Sequence, residues 1–236
     1  MQFQLFKANA RGVKDIGWLQ SNFTFSFSSY QNPLRNGFGL LRVFNDDVVQ
    51  SGGGFGLHPH INMEIISVML NGSMNHKDTL GYTEVVEKDW VQIMSAGSGL
   101  RHEEHNVGTD EVNFLQIWIE PKLQNIMPRY QRRYFPEANR KNKLVTIVSN
   151  AEGADHCWIN QNAQLSLGYF EQGGQVTYRF NPVNKCVFAF CISGQTEIAG
   201  QQLNERDAIG IWQTDSFTVN CLSEARFLLI EVPVNH

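Results

Sequence analysis

The chain has 236 residues, 42% hydrophobic and 18% charged, with a formal net charge of −4 and a pI near 6.0. This is the composition of a folded globular protein with a sizeable core. It excludes a disordered chain, and it excludes one drawn by global charge to nucleic acid or to an anionic membrane. No apolar run reaches the roughly 18–20 residues of a membrane span, and the first seven residues lack the basic-then-apolar layout of a signal peptide, so the cytoplasm is the expected compartment.

Sixteen Phe and twenty Gly favour strands and tight turns. From Trp18 to Tyr30, Phe23, Phe25 and Phe27 alternate with Thr24, Ser26 and Ser28, the pattern of a half-buried strand. Phe38 to Phe44 predicts a second strand, stopped by the turn-forming cluster Asn45-Asp46-Asp47. The glycine-rich stretch Gly52 to Gly56 lacks the Gly-Lys-Ser/Thr ending of a phosphate loop and reads as flexible backbone where a strand enters a barrel. Glu64 to Leu70 is an apolar strand ending at the hairpin signal Asn71-Gly72. Ser73–Asp78, Thr83–Glu87, Trp90–Met94, Arg101–Asn106 and Val112–Ile119 follow at short, regular intervals, which predicts an antiparallel sandwich or barrel.

Residues 121–142 break the pattern with Pro128, Pro136 and a basic run, and read as a solvated linker. A second strand-rich block begins at residue 143. Its candidate strands are Leu165–Phe170, Val176–Phe180, Cys186–Ile192, Thr196–Ala199 and Arg226–Val232. Ile192-Ser193-Gly194 is similar to Leu70-Asn71-Gly72, and Arg206-Asp207 to Lys88-Asp89, so an internal duplication is expected: a barrel over 1–120 and a second over 143–236. All four cysteines (Cys157, Cys186, Cys191, Cys221) lie in the second block without a CxxC spacing, and read as buried free thiols.

The chemistry concentrates in two short stretches. His58-Pro59-His60 puts two imidazoles on one face of a strand, and His102-Glu103-Glu104 puts an imidazole and a carboxylate on one face of another. Pro59 restricts its strand to an edge or a barrel mouth. If the strands are neighbours, His58, His60, His102 and Glu104 converge as a metal site. Alternation turns Glu103 and His105 outward. Glu64 is a reserve ligand or a group that orients an imidazole from behind, and His76 is expected at the surface or behind the ligands. The second block offers only His156 and His236, neither in an HxH or HxE spacing, so the site is expected in the first barrel alone. Three imidazoles and one carboxylate leave two positions of an octahedral ion open. This suits Fe, Ni, Co, Mn or Cu better than a closed structural zinc site. Fe is the leading candidate, with Ni, Co, Mn, Cu and Zn as the others. A carboxylate held by one oxygen can swing away and take a proton, so Glu104 is also the candidate catalytic base. Phe25, Phe38, Phe55 and Met63 are candidates for the apolar lining of the pocket.

His58-Pro59-His60 with Glu64, and Ala96-Gly97-Ser98-Gly99-Leu100-Arg101-His102-Glu103-Glu104-His105-Asn106, resemble the two cupin motifs of the pirin family. Gly17-Trp18-Leu19, Leu41-Arg42-Val43-Phe44-Asn45-Asp46-Asp47 and Val91-Gln92-Ile93-Met94 extend the resemblance over residues 11–120. The resemblance implies an all-β bicupin of two jelly-roll barrels, with one metal ion in the first barrel held by His58, His60, His102 and Glu104. It also implies a quercetin 2,3-dioxygenase-like activity that opens a flavonol or related enediol-type ring with O2. The expected partners are then a small aromatic substrate and O2. The alternative reading is a metal-binding, redox-responsive regulatory protein that acts through a protein partner. Two residues depart from the family pattern: Lys88 stands where a turn glycine is usual, and Glu103 where a small residue is.

Overall fold

In the computed structural model, which describes residues 1–234, the chain is built almost wholly of strands in four sheets. His236 lies outside the described residues. The first barrel pairs a seven-stranded sheet, in the order Arg129–Tyr134, Trp90–Ser95, Glu64–Asn71, Val112–Ile119, Leu41–Val49, Leu19–Phe23 and Gly12–Asp15, with a four-stranded sheet. The smaller sheet runs Gly54–His60, Leu100–Asn106, Ser73–Asp78 and Thr83–Glu87. The second barrel repeats this plan. Its larger sheet runs Gln2–Phe6, Ala208–Trp212, Cys186–Ser193, Ala225–Val232, Gln164–Phe170, Lys143–Ser149 and Cys157–Trp158, and its smaller sheet Gln175–Arg179, Ser216–Cys221, Thr196–Ile198 and Gln201–Leu203. The larger sheets share one order over six strands, as the duplication suggested by the sequence would give, and differ at the seventh: Gly12–Asp15 is antiparallel to its neighbour and Cys157–Trp158 parallel.

The two larger sheets face each other across the main core. Phe44 packs at a tilt against Phe188 and Phe190 at centroid distances of 5.0 and 4.7 Å, and Phe6 and Phe25 close the same aromatic cluster. Each larger sheet is completed by a strand from outside its own block. Gln2–Phe6 pairs with Ala208–Trp212 of the second barrel. Arg129–Tyr134, inside the stretch expected as a linker, pairs with Trp90–Ser95 of the first. Proline and charge hide this strand in the sequence, but its inward residue Tyr130 is buried and anchors it. The neighbouring turn has its left-handed residue at Asp89 (φ 68°) rather than Lys88, and the Asp89 carboxylate accepts hydrogen bonds from Arg140 and the Glu137 amide.

Two further expectations change. The strand predicted over Trp18 to Tyr30 ends at Phe23, because Phe25 crosses to the inter-barrel core while Phe23 and Phe27 stay on the first barrel's cavity. The strand that Asn45-Asp46-Asp47 was expected to stop runs through all three to Val49. Asp46 points toward the second barrel and meets Arg11 and Arg206, while Asn45 and Asp47 point into the first barrel. Tertiary partners outweigh turn propensity here.

The interiors of the barrels differ. That of the second is filled by Val187, Ile209, Ile211, Phe217, Val219, Leu229 and their neighbours. All four cysteines are free and buried, three with their thiols pushed up to about 12 by burial and Cys221 to about 11.

Candidate metal centre

Gly54–His60 and Leu100–Asn106 are adjacent antiparallel strands, with His58 directly opposite His102. Alternation along Leu100–Asn106 turns both His102 and Glu104 to the barrel interior, and the register shift falls on the facing strand, where the three-residue step from His58 to Phe55 brings Phe55 opposite Glu104. The rings of His58 and His102 lie 4.4 Å apart, His58 and His60 4.8 Å, and His60 and His102 4.9 Å between centroids. His60 Nε2 and His102 Nε2 are 3.0 Å apart. The ligand atoms of His58, His60 and His102 all fall within 4.8 Å of one another, and those of His76, His102 and Glu104 form a second such group that shares His102.

Hydrogen bonds set the tautomers. His58 Nδ1 donates to the Gly56 carbonyl at 2.7 Å, which leaves its Nε2 lone pair free. Behind His102 runs a chain of partners. His76 Nε2 donates to Asp78 at 2.9 Å, and His76 Nδ1 stands 3.5 Å from His102 Nδ1 as the acceptor. This arrangement places the His102 proton on Nδ1 and its lone pair on Nε2, facing His60. Burial, followed by the neighbouring imidazoles, lowers His102 to about 2, and burial with His58 lowers His60 to about 4, so both rings are neutral donors at ordinary pH. His76 is also lowered by burial, against the opposing pull of Asp78, and its ring stacks on Tyr130 at 4.3 Å.

Glu104 is 2% exposed. Burial pushes its carboxyl up to about 7, against hydrogen bonds from Gln92 and Gln116. Gln92 Nε2 donates to Glu104 Oε1 at 2.6 Å, and Tyr130 Oη donates to Gln92 Oε1 at 3.0 Å. The donor set fits a divalent cation: three imidazoles bring ligand atoms within 4.8 Å of one another, and a buried carboxylate beside them lacks a compensating charge.

Several predicted residues lie elsewhere. Glu64 touches none of these imidazoles. Its strand belongs to the larger sheet, because the chain turns at Asn62 (φ 48°), and its carboxylate accepts from Ser95 Oγ at 2.6 Å and from the Asn160 amide of the second block at 3.1 Å. His76, expected at the surface or behind the ligands, is fully buried behind them. The alternation Met74, His76, Asp78 along Ser73–Asp78 carried that signal. His105 faces outward, and Glu103 lies 3.6 Å from Lys77 on the outer surface. Of the expected apolar lining only Phe55 reaches the cavity. Phe25 and Phe38 lie in the inter-barrel core, and Met63 packs beside Ile65 and Met94.

The histidines open onto a cavity of about 130 Å3, walled by Leu19, Phe23, Phe27, Phe55 and Trp118, with Asn45, Asp47 and Gln116 among its polar lining. A larger cleft of about 320 Å3 lies where the barrels meet, but its arginines are already paired, Arg140 with Asp89 and Arg226 with Glu137. Open donor atoms are found in the smaller cavity.

Two stacked barrels of one topology, the second filled and the first open around a histidine cluster, define a bicupin. Comparison with known proteins places it more closely. The family model described as Pirin matches residues 6–119, and the one described as Quercetinase C-terminal cupin domain matches residues 146–232. A quercetin 2,3-dioxygenase of Escherichia coli K12 is 36% identical over 230 residues, 97% of this chain and 98% of that protein. A pirin-like protein of Caulobacter vibrioides is 36% identical over 93% of this chain and 95% of its own length. The crystal structure of YhhW from Escherichia coli superposes with a TM-score of 0.94 at 34% identity, covering 100% of this chain and 99% of that one. The complex of the bacterial pirin YhhW with nickel(II) gives 0.93 at 34% identity, covering 99% and 100%. The chain belongs to the pirin family.

Proposed function

We propose that His58, His60, His102 and Glu104 hold one divalent transition-metal ion, and that the protein is a quercetin 2,3-dioxygenase-like enzyme that opens a flavonol or related enediol-type ring with O2. The observation that carries this reading is the cluster of three imidazoles, His60 and His102 held neutral by burial, beside the buried, uncompensated Glu104 at a largely apolar cavity. Relatives bearing that enzyme name over nearly the whole chain support it, as does the nickel(II) complex of a bacterial pirin. Iron is our first candidate for this chain, because it combines this donor set with oxygen chemistry. The ion, when bound, supplies Lewis acidity and one-electron chemistry.

The chain's own residues do the rest. Glu104, buried beside the histidines, accepts the proton of the substrate's enolic hydroxyl. Gln92 and Gln116 hold its carboxylate in place, and Tyr130 fixes Gln92. Phe23, Phe27, Phe55 and Trp118 form apolar walls that receive an aromatic ring and exclude water. The cavity is smaller than the roughly 300 Å3 at which small-molecule pockets usually begin, so it encloses one end of a flavonol, with the remainder at the mouth near Lys14 and Ser28. The test is loss of the flavonol absorbance band, with matching O2 consumption, on adding the metal-loaded protein in air. Absence of turnover with Fe, Mn, Co, Ni and Cu in turn would refute the reading for flavonols.

A further inference from the structure

Opposite the histidines the cavity has a polar wall that the metal chemistry does not use. Asn45 and Asp47 project into it from Leu41–Val49, 2% and 4% exposed. Asn45 stands between Phe23 and Gln116 on the flanking strands, and Asp47 between Ser21 and Phe114. Asn45 Oδ1 and Asp47 Oδ1 have no hydrogen-bond partner among the described residues. A buried acceptor without a donor costs stability, and a buried carboxylate costs more. Neither residue is needed to complete the strand, since Val43 and Val49 take the same face with apolar side chains. Two such acceptors facing one cavity point to a ligand that brings the donors.

We propose that Asn45 and Asp47 are the specificity wall of the cavity: they accept hydrogen bonds from hydroxyl groups on the substrate away from its enediol end, so that the chain selects a polyhydroxylated aromatic over one bearing only the reacting group. This rests on the flavonol reading above and names the substrate class within it. Gln116 joins the two ends of the site. It is paired with Asn45 across the sheet and hydrogen-bonds toward Glu104 and Ser67, so one polar strip crosses the cavity floor from the recognition wall to the base. Ser21 beside Asp47 holds the carboxylate against its own strand and leaves Oδ1 directed at the cavity.

The test is anaerobic binding of two probes, quercetin and 3-hydroxyflavone, followed by quenching of tryptophan fluorescence in the metal-loaded protein. The second probe keeps the enediol-type end and lacks the other hydroxyls. Wild type should bind quercetin at least about tenfold more tightly, the scale of one hydrogen bond to a charged acceptor. Asp47→Ala should lose that preference through weaker quercetin binding, with 3-hydroxyflavone affinity and metal content unchanged. Asp47→Asn, whose amide oxygen still accepts, should keep part of it. Both variants should melt above wild type, because they remove a buried carboxylate that has no cation beside it and one oxygen without a partner. Equal affinity of wild type for the two probes, or an unchanged preference in Asp47→Ala, would overturn the inference and leave the flavonol reading standing. Failure of wild type to bind either probe would overturn both. If Asp47→Ala does not fold, Asp47→Asn decides alone, and a melting point below wild type would make Asp47 a structural residue and end the proposal.

Discussion

Replacing Asp47 with Asn in metal-free protein should raise stability, and the gain should grow with pH. Burial beside Phe114, with no cation in contact, pushes the Asp47 carboxyl up to about 7 from its usual 3.8. In the unfolded chain this group loses its proton near pH 4, whereas in the folded protein it keeps the proton until near pH 7. The unfolded state therefore binds fewer protons across that window, and folding stability falls as pH rises through it. The full gap of roughly three units corresponds to on the order of 4 kcal/mol at pH 8, of which on the order of 2–3 kcal/mol develops between pH 5 and pH 8. Asn has the same shape and no charge, so the variant escapes this loss. Glu104, shifted in the same direction, is common to both proteins and largely cancels in the difference. The assay is thermal unfolding of both proteins after chelation at pH 5, 6, 7 and 8. The difference in Tm should widen by roughly 4–12 °C over the range, at about 2–4 °C per kcal/mol for a chain of this size. A constant difference, or a variant that melts below wild type at pH 8, would refute the placement of Asp47 as a buried acid without a compensating cation.

Other consequences are as direct. The buried thiols, all pushed well above neutrality, should give no reaction with a disulfide reagent at pH 8 in the native protein and four equivalents after denaturation. His76→Phe keeps the stack on Tyr130 but removes the chain from Asp78 to His102. We expect metal affinity to fall about 10–100-fold with the circular dichroism spectrum unchanged, and equal affinity would remove His76 from the account. Phe6→Ala should destabilise the protein by about 3–5 kcal/mol in urea unfolding, because Phe6 is buried against Phe25 and Phe188 where the N-terminal strand closes the second barrel. A loss under about 1 kcal/mol would mean that the strand is not anchored there.

The sequence made some of this legible and hid the rest for physical reasons. Strands whose polar and apolar residues alternate against solvent, such as Leu100–Asn106, could be read nearly to the residue, and the same alternation separated His102 and Glu104 from Glu103 and His105. Gln2–Phe6 and Arg129–Tyr134 were hidden because an edge strand is defined by the sheet it joins, which lies far along the chain. Glu64 misled because period-two reasoning was carried through the bend at Asn62 into another sheet. Asn45-Asp46-Asp47 misled most. Three polar residues in a row have turn chemistry, and only the arginines behind Asp46 and the cavity before Asn45 and Asp47 explain why they continue a strand. Local rules failed where distant partners, not neighbours in the chain, decide the conformation.

The proposed function requires that residues of the first barrel hold one metal ion. It is tested most directly by loading the purified protein with a divalent transition metal, removing the excess and counting bound metal per chain by elemental analysis. Wild type should carry one ion, His105→Ala, whose ring faces outward, also one, and His102→Ala, whose ring stands at the centre of the cluster, none. Wild type without metal, or His102→Ala with a full equivalent, would contradict it.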